Sequence, residues 1–248
     1  MNKVLIVTGG SRGIGAATSI LAARQGYTVC VNYRRNREAA EGVVDAIEAD
    51  GGRALAVAAD VSVEADVMRL FEASDRLLGT LAGLVNNAGI LEIQMRVESM
   101  DAARLERVFA TNVVGSFLCA REAVRRLSTR HGGAGGSIVN VSSGAARLGS
   151  PGEYVDYAAS KGAIDTLTIG LAREVAAEGI RVNAVRPGFI YTDMHASGGE
   201  PGRVDRLKAL IPMQRGGNPE EVAQAILWLL SPEASYVTGS FIDATGGR

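Results

Sequence analysis

Seven apolar runs of strand length alternate with helix-like segments along this chain of 248 residues. The runs are Val4–Val7, Thr28–Asn32, Ala54–Ala58, Gly83–Val85, Ser137–Val141, Arg181–Val185 and Ser240–Ile242. Strands that alternate with helices form a parallel sheet covered on both faces, and right-handed crossovers make that sheet doubly wound. The pattern therefore predicts an α/β fold with one domain over residues 1–248.

The carboxyl ends of five predicted strands carry polar or glycine residues. A doubly wound sheet binds its ligand at this edge, where the order of the strands reverses. We therefore expect these residues to surround one site. They are Thr8–Gly9, Asp60, Asn86–Asn87, Ser142–Ser143 and Pro187–Gly188.

A glycine-rich turn, Thr8–Gly15, follows the first run and leads into a helical pattern that ends near Gly26. Glycines let the backbone approach a pyrophosphate, and the helix N-terminus offers it free N–H groups. The spacing is Gly-x-x-x-Gly-x-Gly and differs from the commonest dinucleotide fingerprint. A purely structural glycine loop is the alternative.

The residues after the second run indicate the kind of nucleotide. A site for NAD places an acid against the ribose 2′-hydroxyl, but no acid occurs between Asn32 and Glu38. A guanidinium binds a phosphate through two hydrogen bonds, so Arg12 and Arg34 favour the 2′-phosphate of NADP(H). Arg35 and Arg37 fit a solvated helix start better.

Tyr157 and Lys161 are four residues apart in a segment of helical pattern, so they share one face. A free phenol has a pKa of about 10, and a nearby ammonium favours its ionised form. The pair therefore suggests a proton donor whose pKa is lowered by lysine. The alternative is two side chains on a solvated helix face.

Together, Thr8–Gly15, Asn86–Gly89, Val141–Ser143, Tyr157–Lys161 and Arg186–Gly188 resemble the short-chain dehydrogenase/reductase family in order and approximate spacing. The resemblance covers essentially the whole chain and implies a Rossmann fold. The C-terminal part is similar to the 3-oxoacyl-carrier-protein reductase and glucose 1-dehydrogenase branches.

The resemblance implies a catalytic group of Asn112, Ser143, Tyr157 and Lys161. Tyr157 exchanges a proton with the substrate oxygen, Ser143 donates a hydrogen bond to that oxygen, and Asn112 holds a water that relays protons. Asn86 holds the strands together. Asn112 as a surface polar residue is the alternative. The residues assigned to NADP(H) are Gly9, Ser11, Arg12, Gly13, Ile14, Gly15, Asn32, Tyr33, Arg34, Asp60, Val61, Asn87, Ala88, Gly89, Tyr157, Lys161, Pro187, Gly188, Ile190 and Thr192.

The serine departs from the family's usual spacing. Family members commonly place it 13 residues before the tyrosine, where this chain has Gly144. The loop before Tyr157 therefore carries one extra residue. We assign the role to Ser143, with Ser142 and Tyr154 as alternatives.

Composition excludes other classes of protein. A net charge of −1 gives no electrostatic case for nucleic acid or an anionic membrane. No apolar stretch reaches 18 residues, His131 and His195 lack metal-ligand spacing, and Cys30 and Cys119 fit buried thiols. We expect a cytoplasmic protein without a metal or a membrane segment.

These observations predict an NADP(H)-dependent reductase of 3-oxoacyl thioesters or small ketones. A sugar 1-dehydrogenase is the alternative among enzymes, and a non-catalytic NADP(H)-sensing regulator is the alternative outside them. Residues 188–218 are expected to form a substrate lid. The apolar surfaces of Val113–Leu118 and Ile164–Leu171, with the last strand, predict a homotetramer.

Overall fold

The computed structural model describes residues 3–248. In this part of the chain, seven parallel strands form one sheet in the order 3-2-1-4-5-6-7, which confirms the predicted fold class. The last strand lies slightly beyond its predicted position. The strands are β1 (Lys3–Val7), β2 (Tyr27–Tyr33), β3 (Arg53–Ala58), β4 (Leu81–Asn86), β5 (Gly136–Val141), β6 (Ile180–Pro187) and β7 (Phe241–Ala244).

Helices connect the strands and cover both faces of the sheet. They are α1 (Gly13–Arg24), α2 (Arg37–Ala49), α3 (Glu64–Leu77), α4 (Ala102–Phe109), α5 (Gly115–Leu127), α6 (Ala145–Leu148), α7 (Val155–Val175), α8 (Met194–Ser197), α9 (Arg203–Leu207) and α10 (Pro219–Leu230). A π turn, Ala110–Val114, joins α4 to α5 without interrupting the helical rod.

The first strand shows why the apolar runs become central strands. Val4 and Ile6 pack into the core on one face of the sheet, whereas Leu5 and Val7 pack into the core on the other. All four side chains are fully buried. A strand with both faces covered must be apolar at every position, and this explains the absence of alternation in its sequence.

The order of the strands reverses between β1 and β4, which are neighbours in the sheet. The polar residues that follow β1, β4, β5 and β6 therefore open onto the same edge, as the sequence predicts. Residues 188–218, the predicted lid, contain α8 and α9 and lie above that edge. The phenol of Tyr154 donates a hydrogen bond to Gly198 O at 3.1 Å and so ties this segment to the body of the protein.

Candidate active site

The glycine turn is fastened to the loop after β4 by side-chain hydrogen bonds. Thr8 Oγ1 accepts hydrogen bonds from the backbone N–H groups of Asn87 and Ala88, both at 3.0 Å. Asn87 Nδ2 donates to Thr8 O at 2.9 Å and to Gly9 O at 3.0 Å. The two loops at the reversal of strand order therefore form one rigid unit.

Two glycines of the turn are required by its geometry. Gly9 has a φ of +61°, and a side chain there would lie 3.0 Å from the Cα of Ala88. A Cβ on Gly15 would lie 2.2 Å from Gly9 O, which is too close for any side chain. The turn thus needs a bare backbone at both positions, where the close neighbours are atoms of the protein itself.

Helix α1 begins at this turn with its N–H groups uncapped. Its N-cap residue, Arg12, makes no side-chain capping hydrogen bond, and the first turn contains no acidic residue. Four N–H groups at a helix start lack partners within the helix, and the helix dipole adds positive charge there. These features fit the pyrophosphate of a dinucleotide.

A cavity of about 390 Å³ lies beside the turn. Of the residues predicted to hold the cofactor, those on its wall are Gly9, Ser11, Arg12, Gly13, Ile14, Asn32, Tyr33, Arg34, Asp60, Val61, Asn87, Ala88, Gly89 and Thr192. Gly15 is buried beneath the turn and does not reach the cavity. The other residues on its wall, which the sequence did not assign to the cofactor, are Arg35, Asn36, Ala39, Ala59, Ile90, Thr111, Asp193 and Met194. Arg35, predicted to lie at a solvated helix start, is exposed and also lies on this wall.

Asn32 lies on the wall but uses its side chain to support the backbone. Its Oδ1 accepts a hydrogen bond from Gly9 N at 3.2 Å, and its Nδ2 donates to Ala59 O at 3.0 Å and to Val57 O at 3.3 Å. The residue is 2% exposed. Asn32 therefore fixes the glycine turn against β2 and β3.

Arg34 and Asp60 contact each other across the mouth of this cavity, with 2.7 Å between Nε and Oδ2. The arginine side chain is about half exposed. Arg37 pairs with Glu41 on the solvent face of α2, in agreement with its assignment to a solvated helix start. The sequence did not predict the Arg34–Asp60 pair.

Tyr157 and Lys161 lie on one face of α7, with the lysine Nζ 5.6 Å from the centre of the phenol ring. Lys161 is 4% exposed, and its Nζ donates a hydrogen bond to Val141 O at 2.7 Å. The pair is therefore not on a solvated helix face. Ser143 follows β5 beside this pair, and its Oγ accepts a hydrogen bond from Ala145 N at 3.1 Å, which leaves the O–H free to donate.

The ionisation of this pair differs from the expectation. Burial raises the pKa of Tyr157 to about 12, although hydrogen bonding with Ser143 acts to lower it. Burial also lowers the pKa of Lys161 to about 8, and the charge of Asp165 opposes this fall. The expected lowering of the phenol pKa by Lys161 is therefore not seen in this structure, in which the loss of water from the phenol is the dominant cause.

Asn112 lies in the π turn and is fully buried, which rules out a surface position. Its Nδ2 donates to Ile90 O and to Ser160 Oγ, both at 3.0 Å, and its Oδ1 accepts from Ile90 N at 2.8 Å. Both amide hydrogens are therefore used. The side chain joins the loop after β4 to α7, and only a lone pair of Oδ1 remains for a water molecule.

The two alternatives to Ser143 have other partners. Ser142 Oγ is 2.6 Å from Asp165 Oδ1, to which it donates, and 3.2 Å from Lys161 O. Tyr154 is bound to the lid through Gly198. The loop before Tyr157 contains the turn Gly149–Gly152, where Ser150 takes the left-handed conformation at a φ of 46°.

A second cavity, of about 140 Å³, adjoins the first and contains the reactive pair. Ser143, Tyr157 and Lys161 line it together with the predicted residues Pro187, Gly188 and Ile190. The residues on the walls of both cavities are Ile14, Asn87, Thr192 and Met194. A ligand in the larger cavity can thus extend to the phenol.

Asn86 lies at the end of β4 and is 4% exposed. Its Nδ2 donates hydrogen bonds to Asn140 Oδ1 at 3.0 Å and to Ser116 O at 3.2 Å. It therefore holds β4 to β5 and to α5, as predicted. Among residues 3–248, no group of histidine, cysteine or acidic side chains is arranged to hold a metal ion.

A dinucleotide cradle that opens onto a buried lysine beside a half-buried tyrosine and serine defines a class of oxidoreductases. The chain belongs to the short-chain dehydrogenase/reductase family, since residues 9–248 match the sequence model of a branch described as enoyl-(acyl carrier protein) reductase. It is 66% identical to the uncharacterized oxidoreductase YgfF of Escherichia coli over 245 residues, covering 99% of each chain.

Two other relatives carry names of known activities. The chain is 39% identical to a 3-oxoacyl-[acyl-carrier-protein] reductase of Synechocystis, covering 99% of this chain and 96% of the relative. It is 38% identical to glucose 1-dehydrogenase 2 of Bacillus subtilis, covering 99% and 94%. A crystal structure of a dehydrogenase/reductase from Sinorhizobium meliloti superposes with a TM-score of 0.91 at 35% identity, covering 99% of this chain and 94% of that one.

Proposed function

We propose that this protein is an NADP(H)-dependent oxidoreductase that transfers a hydride between nicotinamide and a carbonyl or secondary alcohol substrate. One observation carries the proposal: the cavity that contains Ser143, Tyr157 and Lys161 shares four wall residues with the cavity beside the glycine turn. A nucleotide held at the turn and a small substrate held at the phenol would therefore meet.

The bound nicotinamide would supply or accept the hydride. Tyr157 would donate a proton to the carbonyl oxygen in reduction, and Ser143 would donate a hydrogen bond to the same oxygen as negative charge develops on it. With a pKa of about 12, Tyr157 is a neutral phenol at pH 7, which is the form needed to protonate a carbonyl.

We assign the preference for NADP(H) to Arg34 and Arg12. Arg34 lies at the mouth of the larger cavity, and the paired Asp60 keeps its guanidinium there, 2.7 Å from the carboxylate. Arg12 is exposed at the start of α1 on the same wall. A 2′-phosphate between the two would receive charge-assisted hydrogen bonds from both.

A small ketone or a 3-oxoacyl thioester fits the second cavity better than a sugar does. Its wall is largely apolar, with Leu91, Leu148, Phe189 and Met194 among its residues. Of the polar groups that could serve a sugar, Arg203 pairs with Glu153 and Glu200, and Asp156 pairs with Arg104. His195, also on the wall, contacts Ile190 O through Nε2, and its Nδ1 has no partner among residues 3–248.

A paired substrate panel tests the proposal. Consumption of NADPH is measured with acetoacetyl thioesters, diketones and quinones, and reduction of NADP with aldoses. A crotonyl thioester tests for the enoyl reduction named in the family description. We expect turnover of the carbonyl compounds; turnover of aldoses alone would favour the sugar dehydrogenase. NADPH binding without turnover of any compound would favour a non-catalytic sensor.

We also propose a homotetramer that resides in the cytoplasm. Ile164, Leu167 and Thr168 face the sheet, which corrects the prediction that they form surplus apolar surface. Phe117 is exposed as predicted, and the other exposed apolar side chains of α4, the π turn, α5 and α7 are Leu105, Phe109, Val114 and Ile169. The described helices include none long and apolar enough to cross a membrane.

A further inference from the structure

The residues at the end of β5 form hydrogen bonds with two residues of α7, Lys161 and Asp165. Lys161 Nζ donates to Val141 O at 2.7 Å, and the next residue, Ser142, donates from its Oγ to Asp165 Oδ1 at 2.6 Å. Ser142 Oγ also lies 3.2 Å from Lys161 O. Asp165 lies one helical turn after Lys161 on α7. Its carboxylate therefore links the residue after β5, Ser142, to the part of α7 that carries the lysine.

The other oxygen of Asp165 is held from β6. Arg186 Nε lies 3.0 Å and its Nη2 2.9 Å from Asp165 Oδ2. The guanidinium is itself fixed, because it stacks on the ring of Phe241 with 3.8 Å between Arg186 Cζ and the ring centroid. Both side chains of the pair are 15% exposed. The Asp165 carboxylate therefore has one defined orientation.

The surroundings of Lys161 contain little other negative charge. From β5 and the residues after it come the Val141 carbonyl and the hydroxyls of Ser142 and Ser143. The π turn contributes the neutral amide of Asn112, and the loop after β4 contributes the backbone of Gly89. On α7 the ionisable neighbours are Tyr157 and Asp165, and from β6 Arg186 lies beyond Asp165. A buried ammonium loses its hydration, so a nearby anion decides whether it stays charged.

We propose that Asp165, held by Ser142 and Arg186, is a positioning residue that keeps Lys161 in its ammonium form and in register with the end of β5. This inference rests on the proposed function, in which Lys161 lines the substrate cavity beside Tyr157. It also gives Ser142 a task of its own, which is to bind Asp165, whereas Ser143 faces the substrate.

The charge of Lys161 can be measured without substrate or cofactor. The chain has only three lysines, Lys3, Lys161 and Lys208. In protein labelled with ¹³C-lysine, the Cε resonances can be followed through a pH titration, and Lys161→Met identifies the buried one. We expect Lys161 to titrate near pH 8 in the unmodified chain. In Asp165→Asn we expect its midpoint to fall by about one pH unit.

Two further variants make the test specific. Arg186→Met removes a cation from Asp165, so the Lys161 midpoint should rise, opposite to the effect of Asp165→Asn. Asp243→Asn changes the outer carboxylate on the same arginine, 3.4 Å from Arg186 Nη1, and should leave the midpoint unchanged. Unchanged midpoints in both Asp165→Asn and Arg186→Met would overturn the inference, as would equal shifts in Asp243→Asn.

Kinetics separate this inference from the proposed function. In Asp165→Asn the alkaline limb of kcat/KM for carbonyl reduction should move to lower pH, whereas a purely structural defect would lower the rate equally at every pH. An equal loss at every pH would contradict the inference. Absence of turnover in the unmodified chain would instead refute the proposed function, and the lysine titration would still decide the role of Asp165.

Discussion

The buried ion pair between Arg104 and Asp156 offers a quantitative test of the energetics beside Tyr157. Its side chains are 4% and 1% exposed, and Nε lies 2.7 Å from Oδ2. Arg104 Nη1 also donates to Ile93 O at 2.6 Å, so the pair joins α4, α7 and the loop after β4. Asp156→Ala would leave a guanidinium buried without its counter-ion.

Removing one partner of such a pair costs about 3–5 kcal/mol, because the remaining charge has lost its water. At about 2–4 °C per kcal/mol for a domain of this size, the melting temperature should fall by roughly 6–20 °C. The double variant Arg104→Met/Asp156→Leu removes both charges and fills the space, so its stability should lie within about 1–2 kcal/mol of the unmodified protein.

Urea denaturation followed by far-UV circular dichroism at fixed protein concentration measures these differences. Glu98→Ala is the matched control, because it removes the acid of the Arg96–Glu98 pair, whose side chains are 71% and 68% exposed. That change should cost at most about 0.5–1 kcal/mol. The reasoning is refuted if Asp156→Ala costs no more than this control, or if the double variant is as unstable as the sum of its single variants.

Four other predictions concern chemistry and assembly. Tyr157→Phe should abolish carbonyl turnover, because the hydroxyl acts in the transition state, while NADPH binding measured by fluorescence titration should persist. Retention of most of the activity would exclude the mechanism. Arg34→Asp should weaken the binding of NADP(H), measured by calorimetry, by about one to two decades relative to NAD(H), since a charged contact contributes about 1.5–3 kcal/mol. Equal affinities of the unmodified chain for the two cofactors would contradict the assignment of Arg34 to the 2′-phosphate. Light scattering should give a mass near four times 25.8 kDa. Phe117→Glu should reduce that mass, because a charge would enter the proposed interface, and an active monomer would rule out the tetramer. Because burial lowers the pKa of Lys161 to about 8, against about 10.4 when unfolded, the unfolded chain binds more protons between these values. The free energy of unfolding should therefore rise with pH across that window, and the rise should be smaller in Lys161→Met.

The sequence predicted the strands and the edge of the sheet because both depend on local pattern. A strand covered on both faces needs a continuous apolar run, as β1 illustrates, and the residues after such runs must open onto a common edge. The spacing of Tyr157 and Lys161 likewise predicted that they share one helix face, and in the structure they lie close together.

Pairs between distant residues could not be predicted in this way. Arg104 and Asp156 are 52 positions apart, and Asp165 and Arg186 are 21 apart, so no periodic pattern links them. The direction of the Tyr157 pKa could not be predicted for a related reason. Spacing reveals the neighbouring ammonium, but the burial that raises the phenol pKa depends on residues far apart in the sequence.

The π turn has a consequence for insertions and deletions in this part of the chain. Each residue of an α-helix advances the direction of its side chains by about 100°, and a π turn accommodates one residue more than an α turn. Deleting one residue from Ala110–Val114 would therefore let regular hydrogen bonds run unbroken from α4 into α5, and the helix content would be preserved. The side chains before and after the deletion, such as Arg104 and Phe117, would keep nearly the same relative directions, because the π turn absorbs its additional residue within one rotation. Asn112, inside the turn, would be displaced instead, so a shorter and more regular helix would keep both ends of the rod aligned and lose the contact of Asn112 with Ile90.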